Sequence, residues 1–396
     1  MKLIQREDYL NKLINVIGTP DIKVITGIRR SGKSKLLEAI KTYIEEKIKN
    51  ANVIHINYNI SKYEEFMEYH KLYDYICQHY EKSKKNFVLI DEIQMCDGFE
   101  KVINWIHAEE KYDIYITGSN AFLLSSDLAT LFTGRTFEIE VYPFSFKEFQ
   151  LYYNYSNKYE AFNEYLLNGG MSGSYLYNEQ KEKYQYIHDV YNTLILRDIK
   201  NKYKIRNEKV LSNLGNYLMD NISSLTSSNK ITKTINSNKD KITDKTVSKY
   251  IEYLCHAFAF YKIGRYDIKG KKYLSSLDKY YLSDHSFRYA ILGKKNMDYG
   301  RVLENIVAME LLRRGYEIYV GTLYQKEIDF VAMKNNEQIY IQVCENLNDE
   351  KTLNREISPL LSIKDGYKKM IITRLNHEGY LQDGIEVIDI ADWLSN

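Results

Sequence analysis

The chain contains few of the residues that mark several protein classes. Only three of its 396 residues are proline, which excludes Pro-rich linkers. The four cysteines, Cys77, Cys96, Cys255 and Cys344, are dispersed and form no CxxC pair. This spacing fits neither a zinc site nor a disulfide framework, and it indicates a reducing compartment. No apolar run approaches the roughly 18 residues that would span a bilayer.

An excess of charge of one sign is also missing. The chain has 55 Lys and Arg against 53 Asp and Glu, a formal net charge of +2, which argues against a generally basic nucleic-acid coat protein. The first nine residues are charged and contain no apolar stretch, so the sequence predicts no signal peptide. The expectation is a cytoplasmic protein with no membrane partner.

The composition that is present is typical of a globular protein. Hydrophobic residues make up 44% and charged residues 27% of the chain, which excludes a disordered protein. At roughly 150 residues per domain, the length predicts two or three domains.

A phosphate-binding loop is predicted near the N-terminus. Residues 22–26, IKVIT, are typical of a buried strand, and they lead into GIRRSGKS and then into a helical pattern. In the motif G-x-x-x-x-G-K-[ST], backbone N–H groups surround the phosphates of a nucleotide, and the helix N-terminus favours their charge. Lys33 is predicted to reach the β- and γ-phosphates, and the Ser34 hydroxyl to bind Mg²⁺. The predicted nucleotide-binding residues are Gly27, Ile28, Arg29, Arg30, Ser31, Gly32, Lys33, Ser34 and Lys35.

A second apolar strand ends in two carboxylates, as in a Walker B segment. In residues 87–92, FVLIDE, Asp91 is the expected Mg²⁺ residue and Glu92 the residue that polarises the attacking water. An acidic loop after a strand is the alternative. No NKxD-type guanine motif follows, so ATP is preferred over GTP.

Further alternating strands and helices predict a parallel α/β sheet. Strands are expected at 52–57, 113–117 and 136–142, and a helix at 64–80. Ser119 or Asn120 follows one strand at the position of a γ-phosphate sensor, although Asn120 also fits a helix N-cap. Arg135 precedes the last of these strands, where it is either an arginine finger acting on a neighbouring subunit or a surface arginine.

These motifs together resemble a known family. GIRRSGKS, LIDEIQ, TGSNA, TGR and YPFSFKEF, with Arg6, Tyr9 and Leu10 ahead of them, are similar to the prokaryotic AAA-type ATPases that carry a C-terminal nuclease-like domain of unknown function. The resemblance covers almost the whole chain and implies an AAA fold with ATP and Mg²⁺ as ligands. Ser172 is a departure, since relatives usually have proline there.

The middle of the chain concentrates positive charge. Residues 200–290 contain 18 Lys and Arg against 8 Asp and Glu, a net +10, so the rest of the chain carries −8. Helices around 210–221, 231–236 and 243–256, followed by two strands at 260–267 and 272–282, resemble a winged helix. The candidate contacts to double-stranded DNA are Lys245 and Lys249 on the recognition helix, with Lys271 and Lys272 on the wing. Winged helices also bind proteins, which is the alternative.

The last segment resembles a PD-(D/E)XK nuclease that has lost its chemistry. Glu304 on a helix and Asp329 on a strand match the metal-binding carboxylates of that pattern. The strand that should carry (D/E)-x-K instead reads Gln342-Val343-Cys344. A neutral amide binds a hard cation poorly, and Cys344 is typical of a small buried residue.

The sequence thus predicts four segments. They are a P-loop AAA ATPase core (1–145), a helical lid (146–200), a winged-helix-like module (201–292) and a degenerate nuclease-like domain (293–396). The predicted function is Mg²⁺-dependent ATP hydrolysis coupled to conformational change. The expected partners are DNA, another protein, or further copies of the same chain. The alternatives are a nucleotide-gated switch with little turnover and, third, an ATP-driven nuclease.

Overall fold

The computed structural model describes residues 4–118, 132, 134–193, 198–237, 242–294 and 298–396, and the elements below are numbered within these residues. The chain divides into two compact units. The N-terminal unit comprises residues 1–143 with 256–258, and the C-terminal unit comprises residues 144–255 with 259–396. Among the described residues, none of the helices combines the length and apolar character that crossing a membrane requires.

The N-terminal unit is built on a five-stranded parallel sheet with the order β2-β3-β4-β1-β5. Its strands are β1 Ile22–Thr26, β2 Ala51–Asn57, β3 Lys85–Asp91, β4 Tyr112–Thr117 and β5 Thr136–Glu140. Its helices are α1 Glu7–Ile14, α2 Lys33–Lys47, α3 Tyr69–Gln78 and α4 Phe99–Ala108. Val88 and Ile90 of β3 are fully buried in the core, as expected for strands covered on both faces. The predicted α/β fold and parallel sheet are confirmed.

The order of the strands positions the phosphate motifs. Strand β4 lies between β1, which leads into the P-loop, and β3, which ends at Asp91. In a parallel sheet all the carboxyl ends meet at one edge, so the loop after β1 and the ends of β3 and β4 lie together there.

One predicted helix, at 64–80, is divided in two. A 3₁₀-helix covers Ser61–Phe66, and α3 begins only at Tyr69. Between them Glu68 is extended, because the Met67 carbonyl accepts a hydrogen bond from the Asp97 N–H (2.8 Å) and Glu68 forms a β-bridge with Asp97. Pairing with a distant segment therefore interrupts the helical pattern.

The C-terminal unit begins with helices and ends in an eight-stranded mixed sheet. Its helices are α5 Phe146–Tyr153, α6 Lys158–Asn168, α7 Gln180–Asn192, α8 Lys200–Tyr203, α9 Glu208–Asp220, α10 Ser228–Ser237, α11 Asp244–His256, α12 Ser286–Leu292, α13 Tyr299–Arg313, α14 Glu350–Leu361 and α15 Ile390–Ser395. Its strands are β6 Phe260–Asp267, β7 Lys272–Leu282, β8 Glu317–Leu323, β9 Lys326–Lys334, β10 Glu337–Val343, β11 Lys368–Thr373, β12 Tyr380–Gln382 and β13 Ile385–Asp389. The sheet order is β12-β13-β11-β10-β9-β8-β6-β7.

The two strands predicted as a wing belong to this sheet. Strand β6 pairs antiparallel with β7 and parallel with β8, with Tyr266 opposite Gly321. The predicted boundary between residues 292 and 293 therefore falls inside one continuous sheet. Local sequence patterns predict the hairpin but not this parallel pairing, because β6 and β8 are separated in the sequence by β7 and two helices.

Candidate nucleotide-binding site

The P-loop adopts a backbone that its glycines make possible. Gly27 has φ +129°, and a Cβ there would lie 2.2 Å from the carbonyl oxygen of Val141. Gly32 has φ +101° and forms the N-cap of α2 without any side-chain hydrogen bond. The N-terminal N–H groups of α2 therefore face the loop with no capping side chain, which is the arrangement that favours an anion.

Lys33 turns its ammonium back onto the loop. Its Nζ donates hydrogen bonds to the carbonyl oxygens of Gly27 (2.9 Å) and Ile28 (3.0 Å), and the residue is buried. The positive charge is thus held within the loop that would enclose the phosphates. To reach a nucleotide, the ammonium must exchange these two carbonyl partners for phosphate oxygens.

Three side chains meet at the ends of β3 and β4. Ser34 Oγ donates to Asp91 Oδ1 (3.0 Å), and Thr117 Oγ1 donates to the same oxygen (2.5 Å). Asp91 is 1% exposed, and its other oxygen, Oδ2, has no hydrogen-bond partner among the described residues. An ionised carboxylate oxygen is costly to bury without a partner, so Oδ2 is suited to bind a cation or its water ligands.

These contacts fit the predicted magnesium site. Ser34 supplies a hydroxyl and Asp91 a carboxylate, which are the oxygen ligands that Mg²⁺ accepts while retaining waters. Within the part of the chain that the structure describes, Ser31 Oγ in the loop is also buried without a hydrogen-bond partner. Among the described residues, unsatisfied oxygens therefore lie at both the predicted metal position and the predicted phosphate position.

Glu92 is held in an unusual conformation beside Asp91. Its backbone is left-handed, with φ +58° and ψ +48°, which is uncommon for a non-glycine residue. Its N–H donates to Thr117 Oγ1 (3.1 Å), and its carboxylate accepts a hydrogen bond from Gln94 Nε2. Thr117 thus orients both acidic residues.

Sequence reasoning assigned no role to Thr117, and none to Arg6 beyond the family resemblance. Arg6 Nη1 donates to the carbonyl oxygens of Ser31 and Tyr142, each at 2.9 Å, so it joins the P-loop to the chain after β5. Its guanidinium also lies 4.4 Å from the centre of the Tyr9 ring. The sequence signal that could have identified Thr117 is its position as the last residue of an apolar strand beside the Walker B strand.

The other predicted nucleotide-site residues lie at different places. Arg29 is half-buried, Arg30 is exposed, and Lys35 is exposed and forms an ion pair with Glu38 on α2 (2.6 Å). Asn120 and Ser119 fall outside the described residues. Arg135 is exposed, and its carbonyl accepts a hydrogen bond from Ile22 N–H (2.8 Å) at the start of β1. Arg135 therefore lies at the edge of the sheet opposite its own P-loop.

In the C-terminal unit, the carboxylates that the sequence matched to a nuclease pattern lie around a lysine. Lys279 Nζ lies 2.8 Å from Glu304, 2.8 Å from Glu327 and 3.6 Å from Asp329, and its side chain is 3% exposed. The sequence pattern missed this residue, because Lys279 comes from β7, far from the expected (D/E)-x-K position. Burial raises the pKa of Glu304 to about 8, against the opposing influence of Lys279.

On β10, the two residues that depart from the nuclease pattern are accounted for by hydrogen bonds and burial within the C-terminal unit. Gln342 accepts a hydrogen bond from Asp329 N–H (2.8 Å) and donates one to Glu356 (3.1 Å). Cys344 is buried, and burial raises its pKa to about 12, so the thiol is not a ready nucleophile. Within the described residues, no three His, Cys, Asp or Glu side chains are arranged to hold a metal ion.

The lysines predicted to contact DNA lie on two elements. Lys245 and Lys249 are exposed on α11, and Lys271 and Lys272 are exposed at the β6–β7 hairpin. The hairpin is the edge of the eight-stranded sheet, so the second pair belongs to that sheet edge.

Comparisons with known proteins identify a family model for the N-terminal unit and relatives over the whole chain. A family model described as an AAA domain matches residues 19–150, and one described as a domain of unknown function matches residues 159–298; neither description mentions a nuclease. An uncharacterized protein of Haemophilus influenzae is 39% identical, over 99% of this chain and 98% of its own length. An uncharacterized protein of Methanocaldococcus jannaschii is 29% identical, over 99% of this chain and 90% of its own. Among solved structures, a Walker-type ATPase of Pyrococcus abyssi is 17% identical with a TM-score of 0.48, over 73% of this chain and 95% of that one.

Proposed function

This chain belongs to the same family as the Haemophilus influenzae protein, and its residues 19–150 match the AAA-domain model, so we propose that it binds ATP with Mg²⁺ and hydrolyses it in the N-terminal unit. The observation that carries the proposal is the shared contact network of Ser34, Asp91, Glu92 and Thr117 beside the P-loop. Hydrolysis would be coupled to a conformational change of the protein.

In this mechanism the P-loop binds the phosphates through the N–H groups of α2 and through Lys33. The ammonium leaves the carbonyl oxygens of Gly27 and Ile28 and contacts the β- and γ-phosphates. Ser34 and Asp91 would hold Mg²⁺, which neutralises charge on the phosphate oxygens when it is bound.

Glu92 is the proposed general base. Its carboxylate takes a proton from a water molecule whose oxygen attacks the γ-phosphorus, and the bond from that phosphorus to the bridging oxygen of ADP breaks. Gln94 supports this role, since its amide donates to Glu92 and restricts the rotation of the carboxylate.

Two substitutions test the assignment. Lys33→Ala is expected to abolish ATP binding, because the charge that faces the phosphates is removed. Glu92→Gln is expected to retain ATP binding and lose turnover, because an amide cannot accept the proton. The measurements are nucleotide affinity by calorimetry and steady-state phosphate release. Wild-type turnover in both variants would disprove the proposal.

The rival function, a nucleotide-gated binding switch, uses the same site with slow or no turnover. It predicts tight ATP binding by the wild type with a phosphate-release rate no higher than that of Glu92→Gln. The turnover rate alone therefore separates the two functions.

A second candidate activity is the binding of double-stranded DNA. The exposed Lys245 and Lys249 on α11 favour it, together with the net +10 of residues 200–290. Steady-state ATPase should be measured with double-stranded DNA, single-stranded DNA and no DNA across a salt series. Phosphate contacts would make any DNA effect fade steeply with salt, and a rate independent of DNA at low salt would argue against this activity.

A further inference from the structure

The tips of two neighbouring hairpins in the C-terminal unit carry exposed aromatic rings. Tyr273 on β7 is 65% exposed, and Tyr324, in the turn after β8, is 71% exposed. Large aromatic rings are usually buried or placed at interfaces, because their exposed surface is apolar. Two rings this exposed on adjacent tips indicate a surface that another molecule covers.

Tyr273 forms part of a continuous aromatic group on one face of the sheet. Tyr273 is paired with Tyr266 across β6 and β7, and their ring centres are 5.5 Å apart. Tyr319 of β8 extends the group, with its ring centre 5.0 Å from that of Tyr273 and 6.1 Å from that of Tyr266. The inner rings fix the direction of Tyr273, so that its exposed face is held in place before any ligand binds.

Positive charge lies beside the Tyr324 ring and along the β6–β7 hairpin. Lys269 lies 4.6 Å from the centre of the Tyr324 ring, and Lys271 and Lys272 follow it along the hairpin. All three lysines are exposed, and in the described part of the chain no ion pair involves any of them. The neighbouring carboxylate, Asp267, accepts hydrogen bonds from the N–H groups of Lys269 and Gly270, so it shapes the turn.

We propose that this tyrosine–lysine surface binds single-stranded nucleic acid, with bases stacked on Tyr273 and Tyr324 and phosphates beside the lysines. The surface comprises Tyr273, Tyr319, Tyr324, Lys269, Lys271 and Lys272. Stacking needs the open face of a base, which a duplex does not offer, whereas every unpaired base has one. The presence of both rings and ammonium groups on this surface matches a chain that contains both bases and phosphates.

This surface differs in location and ligand from the duplex contacts proposed for Lys245 and Lys249 on α11. Single-strand binding by this surface does not depend on ATP hydrolysis, so this proposal and the proposed ATPase function can fail separately. Single-stranded DNA and RNA share the bases and phosphates that the surface would recognise.

The test is fluorescence anisotropy of the full chain with labelled 20-nucleotide oligo(dT), oligo(U) and a 20-base-pair duplex. The expected result is that one or both single strands bind more tightly than the duplex, and the stronger of the two identifies the natural ligand as DNA or RNA. The double variant Tyr273→Ala/Tyr324→Ala is expected to weaken single-strand binding at least about tenfold. Tyr273→Phe, which keeps the ring, should bind as the wild type does.

Two further variants separate stacking from charge. Lys271→Gln/Lys272→Gln should lower the slope of log affinity against log salt by about 1.4, or about 0.7 for each phosphate contact on a single strand. The matched control is Tyr380→Ala, which removes a 40% exposed tyrosine on β12 at the opposite edge of the sheet and should change nothing.

Thermal unfolding and ATPase rate should be unchanged in the tyrosine double variant, which shows that the chain is still folded. A loss of duplex binding equal to the loss of single-strand binding in the tyrosine double variant would overturn the proposal, as would unchanged single-strand affinity in that variant. Complete competition by polyglutamate, with no effect of the tyrosine substitutions, would point instead to an acidic protein partner and would also overturn it.

Discussion

At the scale of single residues, Lys279 balances the buried charge of the C-terminal unit. Its ammonium contacts Glu304 and Glu327, and the hydroxyl of Tyr281 donates a second hydrogen bond to Glu304 (2.7 Å). Removing one partner from a buried ion pair costs about 3–5 kcal/mol, because the opposite charge is left uncompensated.

Lys279→Met is therefore expected to destabilise the C-terminal unit by up to about 3–5 kcal/mol at pH 9, where Glu304 is ionised in the wild type. The pKa of Glu304 is already raised to about 8 by burial, and it should rise further without the ammonium. A carboxyl whose pKa is raised in the folded state stabilises that state at low pH, and this contribution is lost as the pH rises through the raised pKa. The destabilisation by Lys279→Met should thus be smaller at pH 5 than at pH 9.

Urea unfolding followed by Trp393 fluorescence measures this effect, in a Trp105→Phe background that leaves Trp393 as the reporter. The control is Lys262→Met, which removes a 55% exposed lysine from its pair with Asp278 (3.1 Å) and should cost less than about 1 kcal/mol. Equal stability of Lys279→Met and the wild type at pH 9 would contradict the role assigned to this ammonium.

Residues were predictable from sequence where a motif fixes their spacing. The P-loop and the Asp91-Glu92 pair are marked by apolar strands that are visible in the sequence, so the sequence predicts Ser34 and Asp91 as site residues, and the structure places them in contact. Thr117 and Lys279 were missed, because each contacts acidic residues from a separate strand and no local spacing indicates such a contact.

At the scale of elements, the P-loop packs closely against the residue after β5 because Gly27 has no side chain. The space at Gly27 is filled by the backbone of Val141, whose N–H also donates to the Thr26 carbonyl (2.9 Å). A backbone neighbour cannot rotate away as a flexible side chain can, so any Cβ at Gly27 must displace either the loop or the strand end.

Gly27→Ala is expected to abolish ATP binding and to lower the melting temperature. The matched control is Gly18→Ala, since Gly18 also has a positive φ (+80°), but among the described residues no atom lies within 4 Å of the place that a Cβ would take there. That control should cost roughly 1–2 kcal/mol through backbone strain and leave nucleotide affinity unchanged. Calorimetry with ATP and a thermal scan measure both variants, and equal losses of affinity would show that the close approach to Val141 is irrelevant.

The positions of most helices and strands can be predicted from the sequence, but which strands pair with each other cannot. Alternation and apolar runs predicted the five strands of the first sheet and the β6–β7 hairpin. The continuation of that hairpin into the eight-stranded sheet depends on the parallel pairing of β6 with β8, which no hydrophobic period encodes. The division of the predicted helix at 64–80 likewise depends on the distant Asp97.

At the scale of the whole molecule, the position of Arg135 bears on assembly. Strand β5 separates Arg135 from the sheet edge that carries the P-loop, a span of roughly 16 Å at about 3.3 Å per residue. As an arginine finger Arg135 could therefore serve only the site of a neighbouring subunit, which requires at least a dimer.

Arg135→Ala is expected to reduce turnover by at least about a thousandfold if the finger operates in trans. Mixing it with Lys33→Ala should restore part of the activity, because one variant keeps the nucleotide site and the other keeps the finger. Phosphate release across mixing ratios measures the effect. Arg301→Ala, which removes an arginine paired with Asp298 on the surface (3.2 Å), is the control. Full activity of Arg135→Ala alone would make Arg135 an ordinary surface residue.

The eight-stranded sheet also bears on how this protein can evolve. Strands β6 and β7 precede residue 293, yet β6 pairs with β8, and Lys279 of β7 contacts carboxylates on α13 and β9. A recombination event at 292/293 would leave both halves with a bare strand edge and the carboxylates without their counter-charge. We therefore expect residues 260–396 to be inherited as one piece, so that gene fusions in relatives should begin before β6 and never between β7 and β8.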